Sequence, residues 1–471
     1  MTPDASIPLC VDLDGTLVKI DVLHQSFFPL LRRNATQLFR LPAWLRAGKA
    51  RLKAEVAARI LPDPATLPYN RPLLRFLKDE REKGRRIVLT TAADRRVAAA
   101  VADHLGIFSE ILSSSEAENL RGEAKLSAIH RRHSTFDYVG NDRSDAPLWD
   151  AAEKIYLANP SSFAKKRYEN RAERVFEDRR GGAVARAMRF RQWLKNLLIF
   201  APAFLAHRFS DPSVWLRALL AFLAFGLAAS SIYVLNDLFD VEADRHHPRK
   251  RARPLAAGDL SVPVGLALSA LSALGAGVIS SFLPIAFSGA LSAYFLLTVL
   301  YSLRLKQLAV VDVLTLAVLY AMRIVAGGMA TETPISSWLV IFSLFLFLSL
   351  ALVKRLAELK EGEASNFEGI DRRERGYAPG DLPLLMAFGT AAGYLSVFVF
   401  TTYLAGDQVA RLYTRPEWLR LFCPLLLYWI TRIWLLSWRG RLHDDPLAFA
   451  AQDAQTYVAG ALGIVIVLLA I

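Results

Sequence analysis

The chain has 471 residues, 53% of them hydrophobic, and a formal net charge of +13. That is too long for one ordinary domain and too apolar for a wholly soluble protein. Much of the positive charge falls in alternate loops between apolar runs, so it argues for membrane orientation and against a nucleic-acid partner; with only Cys10 and Cys423, a disulfide framework is excluded.

Residues 1 to about 190 mix charged and apolar positions as a globular domain does. From Trp193 onward, apolar runs of roughly membrane-spanning length recur. The first apolar run, Ile7 to Val11, is short and leads straight into acidic residues, so no cleavable signal peptide is expected and the soluble part is expected to be cytoplasmic.

In chain order, Pro8 to Leu17 (PLCVDLDGTL) predicts an apolar strand ending in D-x-D-G-T. Asp12 is placed as a carboxylate nucleophile, with Asp14 two residues on, on the same side, as general acid and base. A second strand, Arg86 to Leu89, ends in Thr90 and Thr91, of which Thr91 is preferred as the hydroxyl that meets a transferring phosphoryl group. Lys125 in GEAK supplies a fixed cation, and Phe136 to Val139 leads into GNDRSD, which presents Asp142 and Asp145 to a metal. Singly, each piece reads as a turn or a solvated charge. Together they form a phosphoryl-transfer site, where charge stabilisation does most of the work.

In this order the pieces resemble the haloacid dehalogenase-like phosphohydrolases, over roughly residues 5 to 165. The resemblance implies a Rossmann-like α/β domain, Mg²⁺ bound with help from Asp12 and Asp14, and an aspartyl-phosphate on Asp12. Helix formers around Leu30 to Ile60 predict a small helical cap over the site. Residues 166–190 are a charged linker with Gly181 and Gly182 as a hinge, either lying along the anionic inner leaflet or simply solvated.

Nine spans are predicted, beginning near Trp193, Trp215, Val264, Ile285, Ala309, Trp338, Leu382, Trp418 and Tyr457, which makes residues 191–471 an all-α polytopic membrane domain. With the N-terminal domain cytoplasmic, Arg245 to Arg253, Arg304 with Lys306, Lys354 to Arg375, and Arg439 with Arg441 all face inward, as the positive-inside rule requires of a bacterial inner-membrane protein. The odd count puts Ile471 on the outer side. Asp312 and Arg323, eleven residues apart, share a face as an ion pair or a catalytic pair.

The densest polar feature is NDLFDVEADRHHPRKRARPLAAG, residues 236 to 258. Asn236, Asp237, Asp240 and Asp244 share one broad helical face at the end of an apolar span. Crowded carboxylates repel unless a cation joins them, and Mg²⁺ takes oxygen ligands and bridges to phosphates. Arg245, Arg249, Lys250, Arg251 and Arg253 follow, suited to a polyanion's remaining oxygens. The bland reading, in which these acids only pair with their own bases, is weighed against the cost of unpaired charge in a transmembrane register.

NDLFDVEADR resembles the N-D-x-x-D-x-x-x-D motif of the UbiA superfamily of intramembrane prenyltransferases, with coverage from about Arg189 to the C-terminus. RQWLKNLLIFAPAF at 191 to 204, the run DRHHPRKRARPLAAG, YSLRLK at 301 to 306 and LVKRLAEL at 352 to 359 are similar to polyprenyl-phosphate phosphoribosyltransferases of arabinan precursor synthesis. The superfamily's second D-x-x-x-D is replaced here by Lys354, Arg355, Glu358, Glu361 and, further on, Asp371. The resemblance implies phosphoribosyl diphosphate as donor, polyprenyl phosphate as acceptor and the bilayer as the medium. Mg²⁺ is implied on Asp237 and Asp240, with Asp244 either a third ligand or a support for its neighbours, and with Lys306 or Lys195 positioning the lipid phosphate. Asn236, Arg249, Lys250, Arg253, Tyr301, Lys354, Arg355 and Glu358 complete the implied substrate contacts. Two other readings stand beside this one: prenyl transfer from a prenyl diphosphate to an aromatic or other acceptor, and a non-enzymatic lipid-binding or transport protein.

Overall fold

The computed structural model describes residues 7–115, 118–178, 180–364, 376–406, 409, 412–442 and 446–471. Asp371 and most of the loop that carries it lie outside the described residues, as does the Glu361 side chain. By packing, the chain forms two compact units: residues 1–187 with 234–268, and residues 188–233 with 269–471.

The first unit is built on a six-stranded parallel sheet, β1 (Leu9–Val11), β2 (Ile87–Asp94), β3 (Glu110–Ser114), β4 (Asp137–Gly140), β5 (Ile155–Ala158) and β6 (Ala172–Phe176). Its order is β3-β2-β1-β4-β5-β6. β1, β4 and β5 are buried on both faces, which is why LCV and IYLA read as unbroken apolar runs rather than alternating ones. The strand order reverses at β1 and β4, and the crevice beyond the carboxyl ends of such strands is where α/β sheets bind ligands. β6 extends the sheet past residue 165, so the stretch expected as linker begins with a helix, Ser162–Tyr168, and an edge strand.

After β1 the chain rises into the cap: α1 (Val22–Arg33), α2 (Leu41–Arg46) and α3 (Lys49–Ala57). Asp21 caps α1 by accepting the His24 N–H at 3.1 Å. Leu30, Trp44, Val56 and Ile60 give the cap a small core of its own.

Residues 234–268 join this unit because their apolar side chains close on α1. Phe28 packs with Val234, Leu238, Leu255 and Leu260, and meets Phe239 edge to face at 5.3 Å. The buried Asp259 carboxylate is held by Lys19 at 3.3 Å and Arg186 at 2.6 Å.

Among the described residues, seven helices are long and apolar enough to cross a membrane: Pro212–Phe239, Val262–Ser280, Ile285–Leu303, Val311–Thr331, Ser337–Lys360, Leu382–Leu404 and Pro416–Trp438. The protein is a multi-pass membrane protein. The other two expected spans are shorter. Around Trp193 the chain forms a 3₁₀ segment, Phe190–Phe200, and a five-residue helix begun at Ala201 with Pro202 in its first turn. The last helix, Ala454–Ala470, has 17 residues, about 25 Å at 1.5 Å per residue. The 3₁₀ segment is seated by two glycines: the Trp193 indole covers Gly226, and the Ile199 carbonyl lies where a Gly327 side chain would start, 2.1 Å from an ideal Cβ.

Candidate active sites

Asp12 follows β1, with its N–H bound to Val139 O at 3.1 Å, which fixes it at the crevice. Lys125, from the helix Glu123–His130, brings Nζ to 2.7 Å from Asp12 Oδ1, 3.1 Å from the Tyr138 hydroxyl and 3.9 Å from Asp145 Oδ1. All three charged groups are buried. Burial works against the lysine's charge, but Asp12 and Asp145 outweigh it and raise the Lys125 pKa. Asp145 is pushed up to about 6, by burial first and then by Asp12. Asp14, whose Oδ1 accepts the Val22 N–H at 2.9 Å, is pushed up to about 7 by burial, Asp21 and Asp12.

The two threonines divide their work. Thr90 Oγ1 donates to Val11 O, tying β2 to β1, whereas Thr91 Oγ1 accepts the Ala93 N–H at 2.9 Å and so can still donate to a phosphoryl oxygen.

Asp142 and Asp145 part company. Asp142 caps the following turn through Ser144 N and Oγ, both at 2.6 Å, while Asp145 accepts the N–H groups of Asn141 and Asp142. The local reason is a reciprocal capping box, which occupies the Asp142 carboxylate expected at a metal. The residue that meets the D-x-D-G loop is Asn141: a Cβ on Gly15, itself at φ +75°, would lie 2.2 Å from Asn141 Nδ2. Asn141 follows the last residue of β4 directly, the position that faces the crevice, and its lack of charge hid it.

The cap supplies a second unforeseen residue. Lys53 of α3 donates to Ala92 O at 2.5 Å and, with Asp14, lines a small cleft. Burial lowers its pKa, opposed by Asp14, Asp21 and Asp12.

In the acidic motif, Asn236 and Asp237 end the helix Pro212–Phe239, Asp240 breaks it at φ −97° and ψ 8°, and Asp244 lies in the short helix Val241–His246. The bonds Asp240 N to Asn236 O, 2.9 Å, and Asp244 N to Asp240 O, 2.8 Å, carry the register through the break. Arg253 Nη1 lies 3.1 Å from Asp237 Oδ1 and 2.9 and 2.8 Å from the two Asp244 oxygens. Both aspartates are 2% exposed. Arg253, expected at a substrate phosphate, is thus paired with the acids, while Arg249 is exposed and Lys250 partly buried. Burial pushes Asp244 up to about 6; Arg253 opposes this, and Asp237 and Asp240 add to it.

Among the described residues no three His, Cys, Asp or Glu side chains stand together as a ready metal site. Mg²⁺ needs fewer, since it is commonly held by one or two carboxylates, waters and substrate phosphates. Both places fit that requirement: Asp12 and Asp14 are crowded enough to raise a pKa, and three carboxylate oxygens of Asp237 and Asp244 converge on one cationic nitrogen.

In the second unit, Arg355 is 1% exposed, ion-paired to Asp312 and Glu358, and bonded to the Tyr301 hydroxyl at 2.8 Å. Tyr377 donates to Asp312 Oδ1 at 2.6 Å. Arg355, Tyr301 and Glu358 are therefore brought together around Asp312. The expected pairing of Asp312 with Arg323 does not form, because eleven residues of helix separate them by about 16 Å along the axis. Arg323 instead holds Asn196 and the Tyr294 hydroxyl, each at 2.9 Å. Lys195 lies over the Tyr320 ring, 5.5 Å from its centre. Lys306 is in the 3₁₀ turn Leu305–Gln307 and Lys354 in the helix Ser337–Ala364, both partly buried.

An α/β half with a buried Asp–Lys pair and a polytopic helical half with an acidic motif define a membrane transferase joined to a phosphohydrolase-type domain. Residues 197–456 match the UbiA prenyltransferase family and residues 9–150 the haloacid dehalogenase-like hydrolases; the chain belongs to the UbiA prenyltransferase family and carries an N-terminal haloacid dehalogenase-like domain. It is 38% identical over 468 residues to "Uncharacterized protein y4nM" of Sinorhizobium fredii, covering 98% of this chain and 90% of the relative. It is 34% identical over 276 residues to nodulation protein NoeC of Azorhizobium caulinodans, covering 58% and 88%. The decaprenyl-phosphate phosphoribosyltransferase of Mycolicibacterium smegmatis is 38% identical over 184 residues, covering 38% of this chain and 58% of that one.

Proposed function

We propose that the membrane half moves 5-phosphoribose from phosphoribosyl diphosphate to a polyprenyl phosphate, and that the N-terminal half removes the 5-phosphate from the lipid product. The observation that carries the reading is the convergence of Asp237 and Asp244 on a single cation position beside a basic run, the arrangement a diphosphate leaving group requires. The relatives named decaprenyl-phosphate phosphoribosyltransferase support the acceptor class and the phosphoribosyl group transferred.

In the transfer, the bond from ribose C1 to the diphosphate breaks and a polyprenyl phosphate oxygen bonds to C1. Asp237, Asp240 and Asp244 would hold Mg²⁺, which would supply positive charge to neutralise a departing diphosphate. Asn236, Arg249, Lys250 and Arg253 meet its outer oxygens. Lys306 or Lys195 orients the attacking phosphate. Lys354 belongs to the substrate contacts, and Arg355 with Tyr301 and Glu358 fixes their backing.

In the second reaction, Asp12 attacks phosphorus, the bond from phosphorus to ribose O5 breaks, and Asp14 gives O5 its proton. Water then cleaves the aspartyl-phosphate, returning a proton to Asp14 and releasing inorganic phosphate. Lys125 and Thr91 hold the phosphoryl oxygens, and Asp145 fixes Lys125 and Tyr138. Mg²⁺ is assigned to Asp12, Asp14 and the Asn141 to Asp145 loop.

The test offers the purified protein in nanodiscs two substrate pairs, phosphoribosyl diphosphate with polyprenyl phosphate, and prenyl diphosphate with 4-hydroxybenzoate. Turnover of the first pair alone is expected. Turnover of the second instead refutes the reading, and lipid binding that survives without turnover of either would make the protein a carrier.

A further inference from the structure

The cap carries a surface that neither reaction uses. Residues 22–54, from the start of α1 into α3, hold seven lysines and arginines and not one aspartate or glutamate. A basic cluster of that size on a protein held at a membrane matches the charge of anionic lipid headgroups. α2 turns Trp44 inward, into the small core with Leu30, Val56 and Ile60, and leaves Leu45 60% exposed. Phe39, two residues before α2, is 85% exposed. Their sequence neighbours Arg40, Arg46 and Lys49 are exposed as well. The cap has a core of its own, so Phe39 and Leu45 serve nothing inside it. Phe and Leu set among Arg and Lys are the composition of a segment that lies in the interface of a bilayer.

The contacts of α1 show which way this surface is carried. Val22 and Gln25, at its start, line a small cleft with Val241, whereas Phe28, nearly two turns on, meets Phe239 edge to face at 5.3 Å and packs with Leu238 and Val234. Going forward along α1 is therefore going backward along residues 241 to 234, into Pro212–Phe239, a helix long and apolar enough to cross a membrane. The start of α1 is fixed at the crevice, where Asp14 accepts the Val22 N–H. Its 12 residues span about 18 Å at 1.5 Å per residue, so its far end delivers the tip, Ala35 to Arg46, toward the membrane.

We propose that the cap tip docks on the anionic surface of the bilayer that holds the helices, with Phe39 and Leu45 at the boundary of headgroups and acyl chains and Arg40, Arg46 and Lys49 on lipid phosphates. Docked in this way, the cap fixes the Asp12 crevice about the length of α1 from the lipid surface.

The test uses the full-length protein in nanodiscs, with Cys423→Ser and a nitroxide on Phe39→Cys or Leu45→Cys; Cys10 is buried and takes no label. Collisions of the label with oxygen, which concentrates in lipid, and with a nickel chelate, which stays in water, are read in phosphatidylcholine discs with and without phosphatidylglycerol. A label on Glu82→Cys, exposed at the end of the helix that precedes β2, is the water reference. In phosphatidylglycerol discs the ratio of oxygen to nickel collisions at 39 and 45 is expected to exceed that at 82 severalfold, and Arg40→Glu with Arg46→Glu to bring it back toward the value at 82. High salt screens the same bases without altering the chain and is expected to shift the ratio in the same direction, which serves if the double variant does not fold. A ratio at 39 and 45 equal to that at 82 in phosphatidylglycerol discs overturns the inference. Spin broadening between labels of two molecules, without lipid contact, overturns it too and makes the occupant a second copy of this chain.

Discussion

Replacing Arg253 by Gln removes a guanidinium that bridges Asp237 and Asp244, which it meets at 3.1, 2.9 and 2.8 Å. Both carboxylates are 2% exposed, so neither is left to water. Removing one partner from a buried ion pair costs about 3–5 kcal/mol; the Arg253 side chain is 29% exposed, and solvent screening puts the expected loss at the lower end, about 3 kcal/mol. In the wild-type protein Mg²⁺ competes with Arg253 for these oxygens, and in the variant it does not. A ligand present at a hundred times its Kd stabilises the folded state by about 2.7 kcal/mol, enough to offset most of that loss. The assay is thermal unfolding of the protein in nanodiscs, followed by tryptophan fluorescence, with EDTA or Mg²⁺. Arg253→Gln should melt well below wild type in EDTA, and Mg²⁺ should raise its Tm more than it raises that of wild type. Equal Mg²⁺ responses, or equal melting in EDTA, would refute the assignment of these acids to a metal.

Lys125→Met, which leaves Asp12 and Asp145 without their shared cation, is expected to lower phosphatase kcat by about 10²–10³-fold, measured as phosphate release, with transferase turnover retained. Asp14 sits at about 7, raised by burial, Asp21 and Asp12, so it is protonated below that pH and ionised above it; the burst of aspartyl-phosphate formation should fall as pH rises through 7, and rapid-quench kinetics would show it. Gly15→Ala places a methyl 2.2 Å from Asn141 Nδ2 at a φ of +75°, and is expected to abolish phosphate release while leaving lipid product formation intact by mass spectrometry.

The sheet and the carboxylates at its crevice were legible because apolar runs that end in acids have few other uses, and because parallel strands expose their side chains only at one end. Asp12, Lys125 and Asp145 meet through packing that brings residues 113 positions apart to 2.7 Å, which spacing along the chain cannot display. Asn141 escaped notice because a neutral residue beside two acids carries no charge signal. Lys53 did too, because one lysine in a basic cap resembles a solvated one until α3 places it beside Asp14. The acidic face was read from its offsets, but its partner was not: Arg253 folds back nine residues beyond Asp244, and a reader of spacing sees only a basic run. The same holds for Asp312, whose partners Arg355 and Tyr377 come from other segments while the base on its own helix is three turns away.

What leaves the membrane site is tested most directly by the mass of the lipid made from phosphoribosyl diphosphate and decaprenyl phosphate. Wild type should yield decaprenylphosphoryl ribose without the 5-phosphate, Asp12→Asn the same lipid with one phosphate more, and Asp237→Asn neither. A lipid from Asp12→Asn identical to that of wild type, or the absence of any pentose on the lipid from wild type, would contradict the proposed pair of reactions.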